Sequence, residues 1–446
     1  MTSITFDFQK TAGKIKPLHA VNNGPAGSRV RKGNSTYAYF KEAGIPYARN
    51  HDASFYGGYG GEYTVDVHRI FRNFDADPTD PASYDFECTD QCVADCFSTD
   101  CEVYYRLGSR IEHGKKVGTF PPKDFKKWAV ICEHIIRHYT EGWADGFTYP
   151  ITYWEIWNEP DCRNADGSNP CWQGTEEQFV DLFCITLEHL KTCFPHLKIG
   201  GPAFTGVSAN QNSPVNLFIR KLFKALKEKN LPLDFFSFHG YANNPEKLLS
   251  NAECARLICD EFGYTNTKLH LNEWNYVRGW LGDDWNYTLH AEKGLKGASF
   301  ITAVMALGQI TPVDMLMYYD ARPCGMNGMF NTDFLTPLKG YYPFKAFGEL
   351  YRMGQFVLPE YSKSPIYCIA AKNDTSAGIM LTNYAEDDTS PAETVELDLN
   401  GLIGKKATLY LLDEAHDLEE VKTLTLDGTL TLTLPLFATY FIKIDC

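Results

Sequence analysis

Two glutamates, each placed at the end of an apolar run and beside an asparagine, are the side chains best suited to acid–base chemistry. Glu159 lies in the segment Trp154–Asp161, WEIWNEPD, and Glu273 lies in Lys268–Asn275, KLHLNEWN. Hydrolysis of a glycosidic bond needs two carboxyl groups that flank one bond. The two motifs therefore predict a pocket in which two glutamates face each other.

The separation of such a carboxyl pair decides the stereochemistry of the reaction. At about 5–5.5 Å the second carboxylate attacks carbon directly and the configuration is retained. At about 6.5–9.5 Å a water molecule fits between carboxylate and sugar, and the configuration inverts. The long distance between Glu159 and Glu273 along the chain does not argue against their convergence in the fold.

The residues around Glu159 favour a catalytic interpretation of the first motif. Asn158 puts an amide beside the carboxyl, where it can hydrogen-bond a sugar hydroxyl while the acid protonates the departing oxygen. Pro160 ends the strand and stiffens the loop that aims the acid. The alternative is a surface loop with an incidental acidic residue, but a buried aromatic strand that leads directly into Asn-Glu-Pro argues against it.

Repeated βα units are predicted from about residue 18 to residue 353, because short apolar runs alternate there with amphipathic stretches. The predicted strands are Pro17–Asn22, Pro46–Arg49, Glu102–Arg106, Thr152–Trp157, Leu197–Gly201, Phe235–His239, Lys268–Asn272 and Met315–Tyr319. The predicted helices are Ser35–Ala43, Asp124–Thr140, Glu176–Cys193, Val215–Lys229, Pro245–Phe262, Ala291–Ile310 and Pro343–Arg352. Eight strands with interleaved helices predict an α/β fold, a (β/α)8 TIM barrel with its active site at the carboxyl ends of the strands.

After residue 354 the apolar period changes to two residues, which predicts a C-terminal antiparallel β-sandwich domain. The predicted strands are Ile366–Ala371, Gly378–Asn383, Thr394–Leu399, Ala407–Leu412, Val421–Leu426 and Thr429–Ile444. We expect three parts: an N-terminal strand in residues 1–14 that joins the β domain, the catalytic barrel in 15–353, and the β domain in 354–446.

Composition excludes some partners. The formal net charge of -14 disfavours nucleic acid and anionic membranes. The start of the chain has no apolar run of signal-peptide length, and no stretch is long enough to span a bilayer. We therefore expect a cytoplasmic protein with reduced thiols and leave a homo-oligomer open.

Four cysteines lie close together in the sequence, at Cys88, Cys92, Cys96 and Cys101. A metal site or a pair of disulfides is one interpretation, and reduced thiols in a loop-like segment is the other. Because the spacing matches no common zinc pattern, we expect the second, and expect neither a metal nor an organic cofactor.

The two glutamate motifs resemble those of the large clan of retaining (β/α)8 glycosidases that carry glutamates on strands four and seven. The opening HAVNNGP of residues 19–25 and YARNHD of Tyr47–Asp52 narrow the resemblance to glycoside hydrolase family 39, which contains β-xylosidases and α-L-iduronidases. The resemblance implies Glu159 as acid/base, Glu273 as nucleophile and Asn158 as partner of the sugar 2-hydroxyl. A retaining mechanism implies the shorter carboxyl separation.

The same resemblance implies further substrate-binding residues. Arg49 matches the arginine of the second strand that fixes the nucleophile. The remaining implied residues are His51 and Asp52 in subsite −1, and His239 and Tyr241 near the nucleophile. Apart from the resemblance, the candidates for stacking on the sugar are Trp154, Trp157, Trp274 and Trp280, with core packing as the alternative for the first two. The clan often has a tryptophan on the eighth strand as the platform for the sugar. This chain has Tyr318 and Tyr319 there, and they are the candidates for a substrate-binding residue in its place.

The substrate predicted from the resemblance is a glycoside or oligosaccharide. We expect exo-cleavage of a neutral pentoside, a β-D-xyloside first. An α-L-arabinosidase, a β-galactosidase or β-glucosidase, an α-L-iduronidase-like enzyme and a transglycosylase remain alternatives. A barrel that binds sugar without catalysis is a further alternative, which the presence of both glutamates disfavours.

Overall fold

Eight parallel strands close into a barrel in this computed structural model, which describes residues 2–27, 34–52, 65–361 and 365–446. Barrel strands one to eight are Ala20–Asn22, Tyr47–Arg49, Glu102–Leu107, Tyr153–Ile156, Lys198–Phe204, Phe235–Ala242, Lys268–Tyr276 and Met315–Tyr318. Strand eight pairs with strand one, Met317 beside Ala20, and closes the ring. The predicted (β/α)8 barrel is confirmed.

Ten α-helices are present in the described part of the chain. They are Tyr37–Ala43, Val67–Ile70, Glu87–Phe97, Phe125–Glu141, Glu176–Cys193, Pro214–Glu228, Pro245–Glu261, Gly282–Ala291, Leu295–Ile310 and Tyr341–Met353, with a 3-10 turn at Pro81–Ser83. The helices that follow strands three to six are each preceded by a capping residue whose side chain accepts hydrogen bonds from backbone N–H groups of the first turn; these residues are Asp124, Thr175, Ser213 and Asn244. Such caps satisfy backbone N–H groups that the helix leaves without partners.

The segment of the four clustered cysteines is a helix, so the prediction of a loop is wrong. Cys88, Cys92 and Cys96 lie in the helix Glu87–Phe97, and Cys101 comes just before strand three. The spacing of four residues between the first three is itself close to the helical period, which the polar residues between them obscured. Among the described residues, none of the groups of side chains close enough to hold a metal includes these four.

Two sheets form the β region. One contains Gln355–Val357, Ile366–Lys372, Ser376–Asn383, Thr439–Asp445, Lys406–Leu412 and Asp417–Thr425; the other contains Pro359–Tyr361, Thr2–Asp7, Glu393–Asn400 and Thr429–Leu434, each in spatial order. Residues of both sheets share one apolar core. All neighbours are antiparallel except Thr2–Asp7 and Glu393–Asn400, which run parallel. The predicted run 429–444 is two strands, because Pro435 cannot donate a backbone hydrogen bond.

None of the helices in the described ranges combines the length and the apolar composition that crossing a bilayer requires.

Candidate active site

The barrel brings Glu159 and Glu273 together. Glu159 follows strand four, and Glu273 lies inside strand seven, which continues to Tyr276 beyond its predicted end at Asn272. One oxygen of each carboxyl and one ring nitrogen of His239 all lie within 4.8 Å of one another. The two carboxyl groups therefore lie close together in the barrel.

A strained turn aims the Glu159 side chain. Trp157 and Glu159 both have positive φ, 76° and 46°, in the left-handed region that non-glycine residues rarely adopt. The Trp157 N–H donates to the carbonyl of Leu107 at 2.7 Å, and the Glu159 N–H donates to that of Ala203 at 2.9 Å. Because such conformations cost on the order of 1–3 kcal/mol, the neighbouring strands must hold the turn in place.

Arg49 lies at the centre of a buried polar network. Its Nη1 donates to Glu273 Oε2 at 3.3 Å, and its Nη2 donates to Asn158 Oδ1 at 2.7 Å. The shortest ion pair runs instead from Nε to Glu155 Oε2, at 2.7 Å. Arg49 and Glu155 are both fully buried, so Glu155 supplies much of the negative charge that a buried guanidinium requires.

Glu155 is a residue that sequence reasoning missed. Its Oε1 accepts hydrogen bonds from Ser237 at 2.6 Å and from Asn272 at 2.5 Å, so strands four, six and seven meet at one carboxylate. The signal was present in the sequence, since a charged residue in an apolar barrel strand must find partners inside the barrel.

Tyr241 and His239 both contact the carboxyl pair. The Tyr241 hydroxyl donates to Glu273 Oε1 at 2.5 Å. His239 Nδ1 lies 2.7 Å from Glu159 Oε1, and its Nε2 lies 3.4 Å from Glu273 Oε2. His239 thus lies closer to the expected acid than to the expected nucleophile.

Burial controls the protonation of these three groups. It lowers the pKa of His239 to about 4, so the imidazole is neutral at neutral pH. Burial raises the pKa of Glu159 and that of Glu273, each to about 7. The charge of Arg49 opposes both shifts, and the charge of Glu159 raises the pKa of Glu273 further. The two carboxyls titrate as a pair, and near neutral pH the pair holds about one proton.

A neutral His239 keeps one ring nitrogen as a hydrogen-bond donor and the other as an acceptor. The contact of its Nδ1 with Glu159 Oε1 fits both forms of the acid: Nδ1–H donates to an ionised Glu159, and an unprotonated Nδ1 accepts the proton of a protonated Glu159.

Asp52 and Tyr319 form a second polar group beside the pair. The Tyr319 hydroxyl donates to Asp52 Oδ2 at 2.6 Å, and the Asp52 N–H donates to Asn23 Oδ1 at 2.8 Å. Tyr318, the other candidate for the missing tryptophan, is fully buried and packs on Trp274 and Phe344. Tyr319, which directly follows strand eight, is therefore the tyrosine that lies with the polar residues of the site.

His51 is buried next to Asp52, with its Nε2 3.8 Å from Asp52 Oδ1. Burial, together with the charges of Arg49 and Arg106, holds the pKa of His51 well below its usual value. The ring is therefore neutral, with one nitrogen that can donate a hydrogen bond and one that can accept.

An exposed aromatic surface begins at Tyr241. The ring of Trp280 lies 5.1 Å from that of Tyr241 and 5.5 Å from that of Trp285, centroid to centroid. Trp280 is 52% exposed, whereas Trp154, Trp157 and Trp274 are core residues. Sequence reasoning missed Trp285, which the helix Gly282–Ala291 presents.

A (β/α)8 barrel that holds two glutamates at strands four and seven has the architecture of the barrel glycoside hydrolases. The family model "Glycosyl hydrolases family 39" matches residues 61–269, which confirms the resemblance to that family. A β-xylosidase of Geobacillus stearothermophilus is 24% identical over 236 residues, 46% of this chain and 44% of that protein. The chain spans less than half of the length of the curated relatives it matches.

Solved structures share the whole fold. A glucosidase from Croceicoccus marinus superposes with a TM-score of 0.80 at 19% identity, over 100% of this chain and 99% of that one. A family 39 enzyme from Xanthomonas axonopodis pv. citri gives 0.72 at 15% identity, over 99% and 97% of the two chains. At these identities the similarity establishes the fold and does not identify the substrate.

Proposed function

We propose that this protein is a retaining, exo-acting glycoside hydrolase whose acid/base is Glu159 and whose nucleophile is Glu273. The observation that carries the proposal is the short separation of the two carboxyls: one oxygen of Glu159 and one oxygen of Glu273 lie within 4.8 Å of each other. That distance leaves no room for a water molecule in line with the sugar carbon, as inversion would require.

In the first step Glu159 protonates the glycosidic oxygen while a Glu273 oxygen attacks the anomeric carbon. Tyr241 and Arg49 donate to Glu273 and hold it in place. The products are a free leaving group and a glycosyl ester of Glu273.

In the second step Glu159 acts as a base. Ester formation removes the negative charge of Glu273, so the repulsion that helped to keep Glu159 protonated disappears. The ionised Glu159 takes a proton from water as the water oxygen attacks the anomeric carbon. The bond from that carbon to Glu273 breaks, Glu273 leaves as a carboxylate, and the sugar is released with its original configuration. A sugar that replaces water at this step would give transglycosylation.

A neutral sugar is the substrate that the charges around the site favour. Arg322 lies 3.2 Å from Asp320 and 3.7 Å from Asp52, and Arg278 Nε donates to Asp284 at 2.8 Å. Burial opposes the charge of Arg322, yet the two carboxylates hold its pKa above the usual value. Since each arginine already has an acidic partner, neither is a free cation for a uronate.

A β-D-xyloside is the particular substrate that we propose. Support comes from the family match and from the β-xylosidase relative. A pentose lacks the exocyclic C6 group, so an aromatic wall near C5, with Tyr319 or Trp280 in it, would exclude hexoses by steric clash. Excluding one such group is worth about 1–3 kcal/mol, so some activity on α-L-arabinosides is expected.

Two experiments test the substrate and the roles. A panel of aryl glycosides, β-D-xyloside, α-L-arabinoside, β-D-galactoside, β-D-glucoside and α-L-iduronide, should give the highest kcat/KM for xyloside. A tenfold preference for any hexoside or for iduronide contradicts the pentoside proposal. Azide should rescue Glu273→Gly with an inverted glycosyl azide and Glu159→Ala with a retained one. The control Glu253→Ala, which changes an exposed glutamate on an outer helix, should keep wild-type activity.

A further inference from the structure

Two cysteines flank the loop that follows Glu159. Cys162 and Cys171 are reduced thiols; the first is partly exposed and the second is fully buried. Cys171 Sγ lies 3.9 Å from Glu159 Oε2. Both sulfur atoms and one oxygen of Glu159 lie within 4.8 Å of one another. The three side chains therefore converge on one small volume beside the proposed acid/base.

The backbone holds this arrangement. The Cys162 N–H donates to the Glu159 carbonyl at 3.1 Å, which fixes the first cysteine to the turn that carries the acid. The Cys171 N–H donates to Asn169 Oδ1 at 2.7 Å, and Asn169 Nδ2 donates to the Pro160 carbonyl at 2.8 Å. The second cysteine is thus tied back to the same turn, and the site needs little reorganisation.

The distances suit a tetrahedral thiophilic cation. With Zn–S of about 2.3 Å and Zn–O of about 2.0–2.2 Å, tetrahedral angles place two sulfurs about 3.8 Å apart and a sulfur about 3.5 Å from an oxygen. The observed 3.9 Å from Cys171 Sγ to Glu159 Oε2 is within about 0.4 Å of that requirement. Two thiolates and one carboxylate leave the fourth position open.

We propose that Cys162, Cys171 and Glu159 form a binding site for Zn²⁺ or a similar thiophilic divalent cation, and that the bound cation inhibits the enzyme. The inhibition rests on the proposed role of Glu159. The proposed cation is an inhibitor and not a cofactor of the reaction. Its binding would contradict the expectation from the sequence that the chain binds no metal.

Inhibition follows from how the Glu159 carboxyl is shared. Its Oε1 contacts His239 and its Oε2 faces the thiols, so a cation can ligate Oε2 without displacing the histidine. A ligating carboxylate is ionised and has no proton for the leaving oxygen. Each cation displaces a proton from each thiol, and from Glu159 where that group is protonated, so binding strengthens as pH rises.

The experiment uses the 446-residue chain with a phosphine reductant that prevents disulfides. Co²⁺ serves as the spectroscopic probe of binding, because thiolate ligation gives an intense near-ultraviolet charge-transfer band. Zn²⁺ titration of glycosidase activity serves as the probe of inhibition. We expect a charge-transfer band in the wild type, inhibition near one equivalent of Zn²⁺, and full recovery with EDTA.

Variants assign the ligands. Cys162→Ser and Cys171→Ser should each weaken the band and raise the Zn²⁺ concentration for half-inhibition at least tenfold. Cys193→Ser is the matched control, because Cys193 belongs to a separate group with Glu133 and His189 that is also close enough to hold a metal. This control should retain wild-type activity, band and inhibition.

Three outcomes overturn the proposal: no thiolate band, equal Zn²⁺ sensitivity of wild type and both cysteine variants, or inhibition by Zn²⁺ that EDTA does not reverse. Because the Co²⁺ band is read without substrate, a protein that binds Co²⁺ through both cysteines but cleaves no glycoside would refute the proposed function and leave the metal site standing.

Discussion

Replacement of Glu159 by glutamine should remove the alkaline limb of the pH–rate profile and make the rate depend strongly on the leaving group. Glutamine keeps the size of the side chain and its contact with His239 but cannot donate a proton to the glycosidic oxygen. Glu273 is unchanged, so attack on the sugar remains available wherever the leaving group needs no acid.

The size of the effect follows from the pKa of about 7 that burial gives Glu159. In the wild type the protonated fraction of a group with that pKa falls from about one half at pH 7 to about one hundredth at pH 9, so kcat/KM for a poor leaving group should fall about fiftyfold. General acid catalysis contributes roughly 10²–10⁴-fold, and Glu159→Gln should lose that factor for an alkyl xyloside.

The assay is kcat/KM between pH 5 and pH 9 with an alkyl and a dinitrophenyl β-D-xyloside, for wild type, Glu159→Gln and the control Glu253→Ala. On the dinitrophenyl substrate kcat/KM of the variant, which reports the first step, should stay close to that of the wild type. Its fall at low pH should also remain, because Glu273 must be ionised to attack. Equal losses on both substrates, or an alkaline limb that survives in the variant, would refute the assignment of Glu159 as acid.

Three further predictions concern neighbouring residues. Tyr241→Phe removes a hydrogen bond to Glu273, worth about 1.5–3 kcal/mol when the acceptor is charged, so kcat/KM should fall roughly 10- to 150-fold and the acid limb should move to higher pH. Trp280→Ala should raise KM for aryl xylosides more than it lowers kcat, because an exposed ring beside Tyr241 contributes binding by stacking; an unchanged KM would remove Trp280 from the binding surface. Glu292 is fully buried, neither of its oxygens has a hydrogen-bond partner among the described residues, and burial raises its pKa from 4.5 to about 8. The folded state therefore holds a proton that the unfolded state has lost between those values, and stability falls as pH rises from about 4.5 to 8. Glu292→Gln should make the stability depend less on pH. The Tm of the variant minus the Tm of the wild type should be at least about 2 °C more positive at pH 8 than at pH 5. The same difference at both pH values would contradict this prediction.

The barrel was predictable because its information is local. Each strand and each outer helix has its own apolar period, and eight such units can close in only a few ways. The position of Glu159 followed in the same way, since a strand that ends in Asn-Glu-Pro places the acid at the rim. Glu273 was found by its motif, although the strand that carries it extends four residues beyond its predicted end.

The network beneath the carboxyl pair was not predictable, because it depends on register between strands. Arg49 was expected to hold the nucleophile, yet its closest ion pair is with Glu155, two strands away in the ring. The thiols beside Glu159 depend on how an eight-residue loop returns to the rim. Cys171 reaches the acid through the hydrogen bonds of Asn169, and nothing in the sequence spacing indicates that approach.

The central claim is that Glu273 forms a covalent ester with the sugar, and mass spectrometry of a trapped intermediate tests it most directly. The probe is the 2-deoxy-2-fluoro derivative of whichever aryl glycoside in the panel is cleaved fastest, because the fluorine slows both steps and the activated leaving group lets the ester accumulate. Peptide mapping should place one glycosyl group per chain on Glu273 and none in Glu273→Gln. Turnover of the parent substrate with no label on Glu273, or with label on another carboxylate, would contradict the account.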